Sequence, residues 1–236
     1  MTAWSLCIPM GHMQDYSANS SQDTSRDPVS RKEREKRTRE LEILKAAREL
    51  FVSKGFRETT LEEIAHHAEF GKGTLYNYFA SKDDLFLGII EQTIEETLAI
   101  ARAAVKGPGD ARQKLLQYAR EIIQYVKTNG ELIHVVYHEL HRSTSPVNVA
   151  KLRQILDHAR DGWAMLAKPL AEEIQSRSLR QGDPIQLVML FDGMLRGYCS
   201  HQFAAGRSPA DMDVEPAAEL LTSVFFDGIT ETKRKG

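Results

Sequence analysis

Apolar residues along this chain recur at intervals of three and four and nowhere alternate convincingly, which is the period of helices rather than strands. A first helix is predicted from Arg31, with Leu41, Leu44, Ala47, Leu50 and Phe51 on one face and Gly55 at its end. Thr60 and Glu63 stand in capping-box spacing at the start of a short second helix that turns Ile64 and Ala65 inward. Gly71 and Gly73 bracket the start of a third short helix carrying Leu75, Tyr76 and Phe79. Ser81, with Asp84 three residues on, opens a long fourth helix through about Val105, whose seam is Leu85, Ile89, Ile90, Ile94 and Leu98.

Gly107-Pro108-Gly109 breaks that helix, and further helical stretches are predicted over 110–128, 131–142, 147–178, 184–205 and 214–229. Pro169 falls inside the third of these and is expected to kink or divide it. The predicted fold class is all-α: three small helices first, then a long helix leading into a larger bundle. Residues 1–30 have no apolar period and read as a flexible tail. The domain boundaries that follow are 31–85 for the small helices, 86–230 for the bundle and 231–236 for a charged tail.

With 42% apolar and 27% charged residues, the 236-residue chain has enough apolar surface for a real core. It has no run of about 18 apolar residues and no basic stretch ahead of an apolar N-terminus, so no membrane span or secretory signal is expected. Its two cysteines, Cys7 and Cys199, form neither a disulfide framework nor a paired zinc motif, which suits a reducing, cytoplasmic setting. The net charge of −2 is unevenly spread: between Arg31 and Arg48, eight basic residues face four acidic ones. Such a run is equally the solvated face of a helix.

A tight turn between the second and third of four helices is the layout of a helix-turn-helix, whose second helix enters the DNA major groove. The stretch TTLEEIAHHAEFGKGTLYNYFASKDDLF, Thr59 to Phe86, resembles the DNA-binding segment of the tetracycline-repressor (TetR) family. The matching elements are the Thr-Thr before Ile64-Ala65, Lys72-Gly73-Thr74-Leu75-Tyr76, the pair Tyr78-Phe79, and Ser81-Lys82 before Leu85-Phe86, with AARELFVSKGF preceding them. So many matches at fixed spacing make a strong signal.

The residue types make sense apart from the resemblance. Lys72 and Lys82 can neutralise phosphates, and Thr60, Thr74 and Tyr76 offer hydroxyls to phosphate oxygens. Gly73 lets backbone come close to a duplex. Carried over position by position, the resemblance implies DNA contacts from Thr60, Leu61, Lys72, Gly73, Thr74, Tyr76, Tyr78 and Lys82. Leu61 departs from the pattern by lacking a hydroxyl. Glu69, Phe70 and Gly71 stand where the family usually has Gly, an apolar residue and Ser, so Glu69 is expected in a backbone conformation that glycine takes more easily, and Gly71 caps less well than serine. Glu62 and Glu63 sit near the expected phosphate track and are expected to weaken affinity or raise its salt sensitivity.

For the rest of the chain the resemblance implies a helical domain that encloses an effector and dimerises through its last two helices, making a ligand-responsive homodimeric repressor of double-stranded operator DNA. Two recognition helices must reach successive grooves about 34 Å apart, which also calls for a dimer. Val188, Met189, Phe191, Leu195, Leu220, Leu221, Val224 and Phe225 fit such an interface and equally fit the chain's own core. Pocket candidates are the polar and aromatic residues interrupting apolar helices: Tyr118, Tyr125, His134, Tyr137, His138, Trp163 and Arg196. They suit an aromatic or lipid-like small molecule.

His134 and His138 share a helix face, but HVVYHELH lacks the spacing of a zinc-protease motif, and no metal or cofactor is assigned. An enzyme or a protein-interaction adaptor is the competing class. No G-x-S-x-G elbow is present, and Gly71-Lys72-Gly73-Thr74 lacks the earlier glycine of a phosphate-binding loop.

Overall fold

The computed structural model describes residues 30–142, 149–176, 178–179 and 181–229; of the predicted tails at 1–30 and 231–236, all but Ser30 lie outside that set. Every regular element among the described residues is helical: α1 (Arg31–Lys54), α2 (Leu61–His67), α3 (Lys72–Tyr76), α4 (Lys82–Lys106), α5 (Ala111–Arg142), α6 (Val149–Gln175), α7 (Pro184–Ala204) and α8 (Val214–Ile229), with one 3-10 turn at Pro209–Asp211. By contacts the chain divides after Arg37. The described part of the first unit is the opening of α1, where the Ser30 hydroxyl accepts the Glu33 N–H at 3.2 Å and the Glu33 carboxylate accepts the Ser30 N–H at 2.9 Å. That reciprocal pair caps the helix start.

In the second unit, one core is built where α1 to α4 meet, from Ile43, Leu44, Ala47, Phe51, Ile64, Leu75, Phe79, Leu85, Phe86 and Ile89. Leu41, expected on this seam, is 42% exposed, and Ile43 and Ala46 take the inward positions instead. The core continues along α4 to Ile90 and admits Leu132 from α5 and Ile155 from α6. Two ion pairs reinforce that junction: Lys151 to Asp84 at 2.5 Å and Arg57 to Glu139 at 3.4 Å. A second core fills the bundle with Leu115, Ala119, Ile123, Leu166, Leu170, Val188, Phe191, Leu195, Ala218 and Phe225.

Two expected divisions of helices are absent. Pro169 lies within a continuous α6, held by the buried Leu166, Ala167, Leu170 and Ile174 around it. The stretches expected at 110–128 and 131–142 form one helix, α5, that runs straight through Asn129-Gly130. Gly130 serves packing rather than a turn: a Cβ there would lie 2.5 Å from both Cβ and Cγ of Pro209 and 3.1 Å from the Phe203 ring. In an open helix position alanine would gain about 1 kcal/mol over glycine. Here the overlap reverses the sign, and Gly130→Ala is expected to destabilise the protein by about 1–2 kcal/mol, read as a lower urea midpoint at unchanged slope. A raised midpoint would show that the 3-10 turn does not press on α5.

Candidate nucleic-acid interface

The short helices are set by local chemistry. Thr60 caps α2, its hydroxyl oxygen accepting the Glu63 N–H at 3.2 Å, while the Glu63 carboxylate accepts the Thr60 N–H at 2.8 Å. The Thr60 hydroxyl also donates to Glu63 at 3.0 Å, so it is engaged twice inside the protein. A hydrogen bond from Lys54, followed by those from Thr60, pushes the Glu63 carboxyl down to about 2.

The turn between α2 and α3 has the conformation that the sequence implied. Glu69 has φ of 58°, the one non-glycine residue with positive φ among those described. Left-handed backbone costs a non-glycine residue about 1–2 kcal/mol. It is held because the Phe70 N–H donates to the Ala65 carbonyl at 2.8 Å and the Glu69 N–H to the His66 carbonyl at 3.1 Å, a Schellman closure of α2. Phe70 completes it by packing on the core. Gly71 is the N-cap of α3 and supplies no side-chain hydrogen bond, as expected of glycine there.

The eight residues expected at DNA divide by position. Thr60, Lys72, Gly73 and Tyr76 are exposed, Tyr76 by 43%, and Thr74 is half-buried. Leu61 and Tyr78 are instead partly buried against the core. Lys82 is occupied elsewhere: its ammonium donates to the carbonyls of Phe56, Arg57 and Thr59 at 2.8, 3.0 and 2.9 Å and lies 4.7 Å from the centre of the Phe56 ring. All three of its donors are thus taken, and burial lowers its pKa. In this arrangement Lys82 fastens the α1–α2 loop to the start of α4. Its position at the helix start suggests a phosphate contact, but the carbonyls that claim it lie 23 to 26 residues away.

Gly73 gives the opposite result. A Cβ added there meets nothing within 4 Å. Neither packing nor a positive φ calls for glycine at this position. Asn77, exposed next to Tyr76 at the C-cap of α3, is absent from the residues expected at DNA, although an amide is the type of side chain that reads adenine edges.

Behind the interface, two carboxylates organise the bundle. Asp192 of α7, 1% exposed, accepts from the Tyr118 hydroxyl at 3.0 Å, the Trp163 indole N–H at 3.1 Å and Arg196 Nε at 2.6 Å. Burial, then the Asp192 charge, raises the Tyr118 pKa, and Asp192 raises that of Arg196. Three pocket candidates therefore converge on a residue not predicted, and the signal was legible: Asp192 is the lone charge in LVMLFDGML. Tyr125 donates to Glu96 of α4 at 2.6 Å, and Glu96 also receives Arg48 of α1 at 3.3 and 3.4 Å. The His134 and His138 rings are stacked with centroids 6.1 Å apart. The side chain of Tyr137 lies outside the described residues. A groove of about 420 Å³ at the α4–α5 connection, lined by residues such as Gly107, Lys114 and Arg120, includes none of the predicted pocket residues.

Among the described residues, no group of three or more His, Cys, Asp or Glu is placed to hold a metal ion, and no helix is long and apolar enough to cross a membrane.

A four-helix N-terminal core that presents a short outward helix across a tight turn defines a helix-turn-helix regulator. Residues 43–89 match the model of the bacterial regulatory proteins, tetR family. An uncharacterised HTH-type transcriptional regulator of Bacillus subtilis, YvkB, is 22% identical over 192 residues, covering 80% of this chain and 95% of that one. The fatty acid metabolism regulator protein of the same organism is 24% identical over 155 residues, 65% of this chain and 77% of its own. The crystal structure of B. subtilis FadR in complex with stearoyl-CoA has the same fold, with a TM-score of 0.66 at 20% identity over 80% of this chain and 98% of that one. The chain thus carries the DNA-binding segment of the tetR family and is similar to HTH-type transcriptional regulators over most of its length.

Proposed function

We propose that the chain acts in the cytoplasm as a homodimeric repressor, holding operator DNA with the outer face of α2 and α3 and releasing it when a small molecule binds the helical bundle. The observation that carries the DNA face is Gly73, exposed and facing open space beside Lys72 and Tyr76. A backbone left bare toward solvent on a recognition helix allows close approach of a sugar-phosphate strand. Thr60 and Thr74 flank that approach, with Leu61, Tyr78 and Lys82 supporting it from behind.

The dimer reading rests on α7 and α8. Val188, Phe191, Leu195, Leu221 and Phe225 are buried in the chain's own core, whereas Ile185, Met189, Leu190, Leu220 and Val224 are 39% to 63% exposed. Apolar side chains this exposed on two helices are the composition of a four-helix seam with a second copy.

For the effector, stearoyl-CoA bound by FadR makes long-chain acyl-CoA the first molecule to test. Tyr118, Trp163 and Arg196 around Asp192, Tyr125 at Glu96, and His134, Tyr137 and His138 on α5 are the polar groups within its reach on this reading. Because Glu96 holds Arg48 of α1 and Tyr125 of α5 at once, a ligand that displaces Tyr125 would also move the DNA-binding helices.

The test is Gly73→Ala. Duplex affinity is expected to fall on the order of tenfold or more, while thermal stability stays level or rises by up to about 1 kcal/mol, since alanine favours the helix. Unchanged affinity would remove the DNA face from this surface.

A further inference from the structure

Between Thr60 and Ser81, the whole of α2, the turn and α3, the chain has a single lysine or arginine, Lys72, against Glu62, Glu63 and Glu69. A surface meant for a polyanion is therefore acidic, and its one fixed cation is already engaged. Lys72, the first residue of α3, forms an ion pair with Glu62 of α2. Its ammonium also lies 5.8 Å from the centre of the Tyr76 ring. The neighbouring Lys54 of α1 is engaged in the same way by Glu63. Lys72 and Glu62 are both more than half exposed, at 60% and 51%, so the pair faces the same solvent that a duplex would occupy.

We propose that Glu62 is a built-in competitor of DNA phosphate for Lys72, so that binding exchanges an internal carboxylate for a phosphate and the net electrostatic gain from α3 is kept small. The proposal rests on the reading that α3 faces DNA. Its physical basis is that a protein cation releases condensed counterions from the duplex by neutralising phosphate, and a cation that arrives with its own carboxylate neutralises less phosphate charge and so releases fewer of them. A carboxylate displaced from Lys72 then remains close to the sugar-phosphate strand, where it repels. The ammonium is steered toward one place by Glu62 and the Tyr76 ring, so a phosphate must arrive at that place to replace the carboxylate. Sequence-independent sticking is thereby weakened more than binding at a site where phosphate, base contacts and Gly73 backbone engage together. The other role open to Glu62, an acidic residue in the first turn of α2 favouring the helix dipole, concerns stability alone and predicts nothing about DNA.

The test compares the full chain with Glu62→Gln, Lys72→Gln and the double variant. Anisotropy titrations on a labelled random-sequence duplex of about 30 bp, across a sodium chloride series, give affinity and its salt slope. Glu62→Gln is expected to tighten duplex binding several-fold and to steepen the slope by about 0.9 per protomer. Lys72→Gln loosens binding, and the gain from Glu62→Gln disappears in that background. No gain from Glu62→Gln, or the same gain with and without Lys72, would overturn the competitor role, the second result marking a general effect of net charge. Those failures leave the DNA face intact so long as Lys72→Gln still loosens binding; if neither single variant alters affinity or slope, the DNA face itself fails.

Discussion

Arg196→Ala is expected to cost about 3 kcal/mol of folding stability, a large effect for a side chain that is 61% exposed. The reason lies with its partner. Asp192 is 1% exposed, and among the described residues Arg196 is the one cation bonded to it; the Tyr118 and Trp163 donors are neutral. Removing the guanidinium leaves a buried carboxylate with two hydrogen bonds and no counter-charge, which costs much more than losing an exposed ion pair. A second substitution separates this cause from others. Asp192→Asn in the Arg196→Ala background removes the stranded charge and keeps an acceptor for Tyr118 or Trp163, so the double variant is expected to recover at least about 1 kcal/mol. A double variant no more stable than Arg196→Ala would instead assign the loss to packing or to contacts outside the chain. Urea unfolding of the four proteins of this cycle measures it.

The second large effect concerns assembly. Leu190 and Val224, 63% and 56% exposed, contribute little to the chain's own core. Changing both to Arg should leave the monomer's helix content and unfolding intact, while like charges facing each other across the seam break the proposed dimer. Duplex affinity is then expected to fall on the order of a hundredfold or more, because the second half-site is no longer delivered at high effective concentration. Sedimentation velocity gives the mass and anisotropy the affinity. A doubly substituted chain that still sediments as a dimer would place the interface elsewhere.

The features legible from sequence were those fixed by near neighbours. The caps at Thr60 and Ser81 and the strained Glu69 depend on residues three to five positions away, and all three are present as predicted. Legibility ended where distant parts of the chain decide. Asn129-Gly130 has the composition of a helix break, yet its meaning comes from Pro209, 79 residues on. Lys82 has the position of a phosphate ligand, yet its donors are claimed by a loop before α2. The apolar residues of α7 and α8 divide between core and surface only once the packing of α5 and α6 against them is known, which is why Val188 and Met189, adjacent in sequence, fall on opposite sides. The Arg48–Glu96–Tyr125 connection joins three helices and leaves no local pattern at all.

The central claim is that two copies of this chain each present α3 to one stretch of duplex. Native mass spectrometry of the full chain with duplex DNA from upstream of its own gene tests it most directly. Two chains per bound duplex are expected, with the complex lost as salt rises and weakened when Gly73 is changed to Ala. A single chain per duplex, or a complex indifferent to both salt and Gly73, would contradict it.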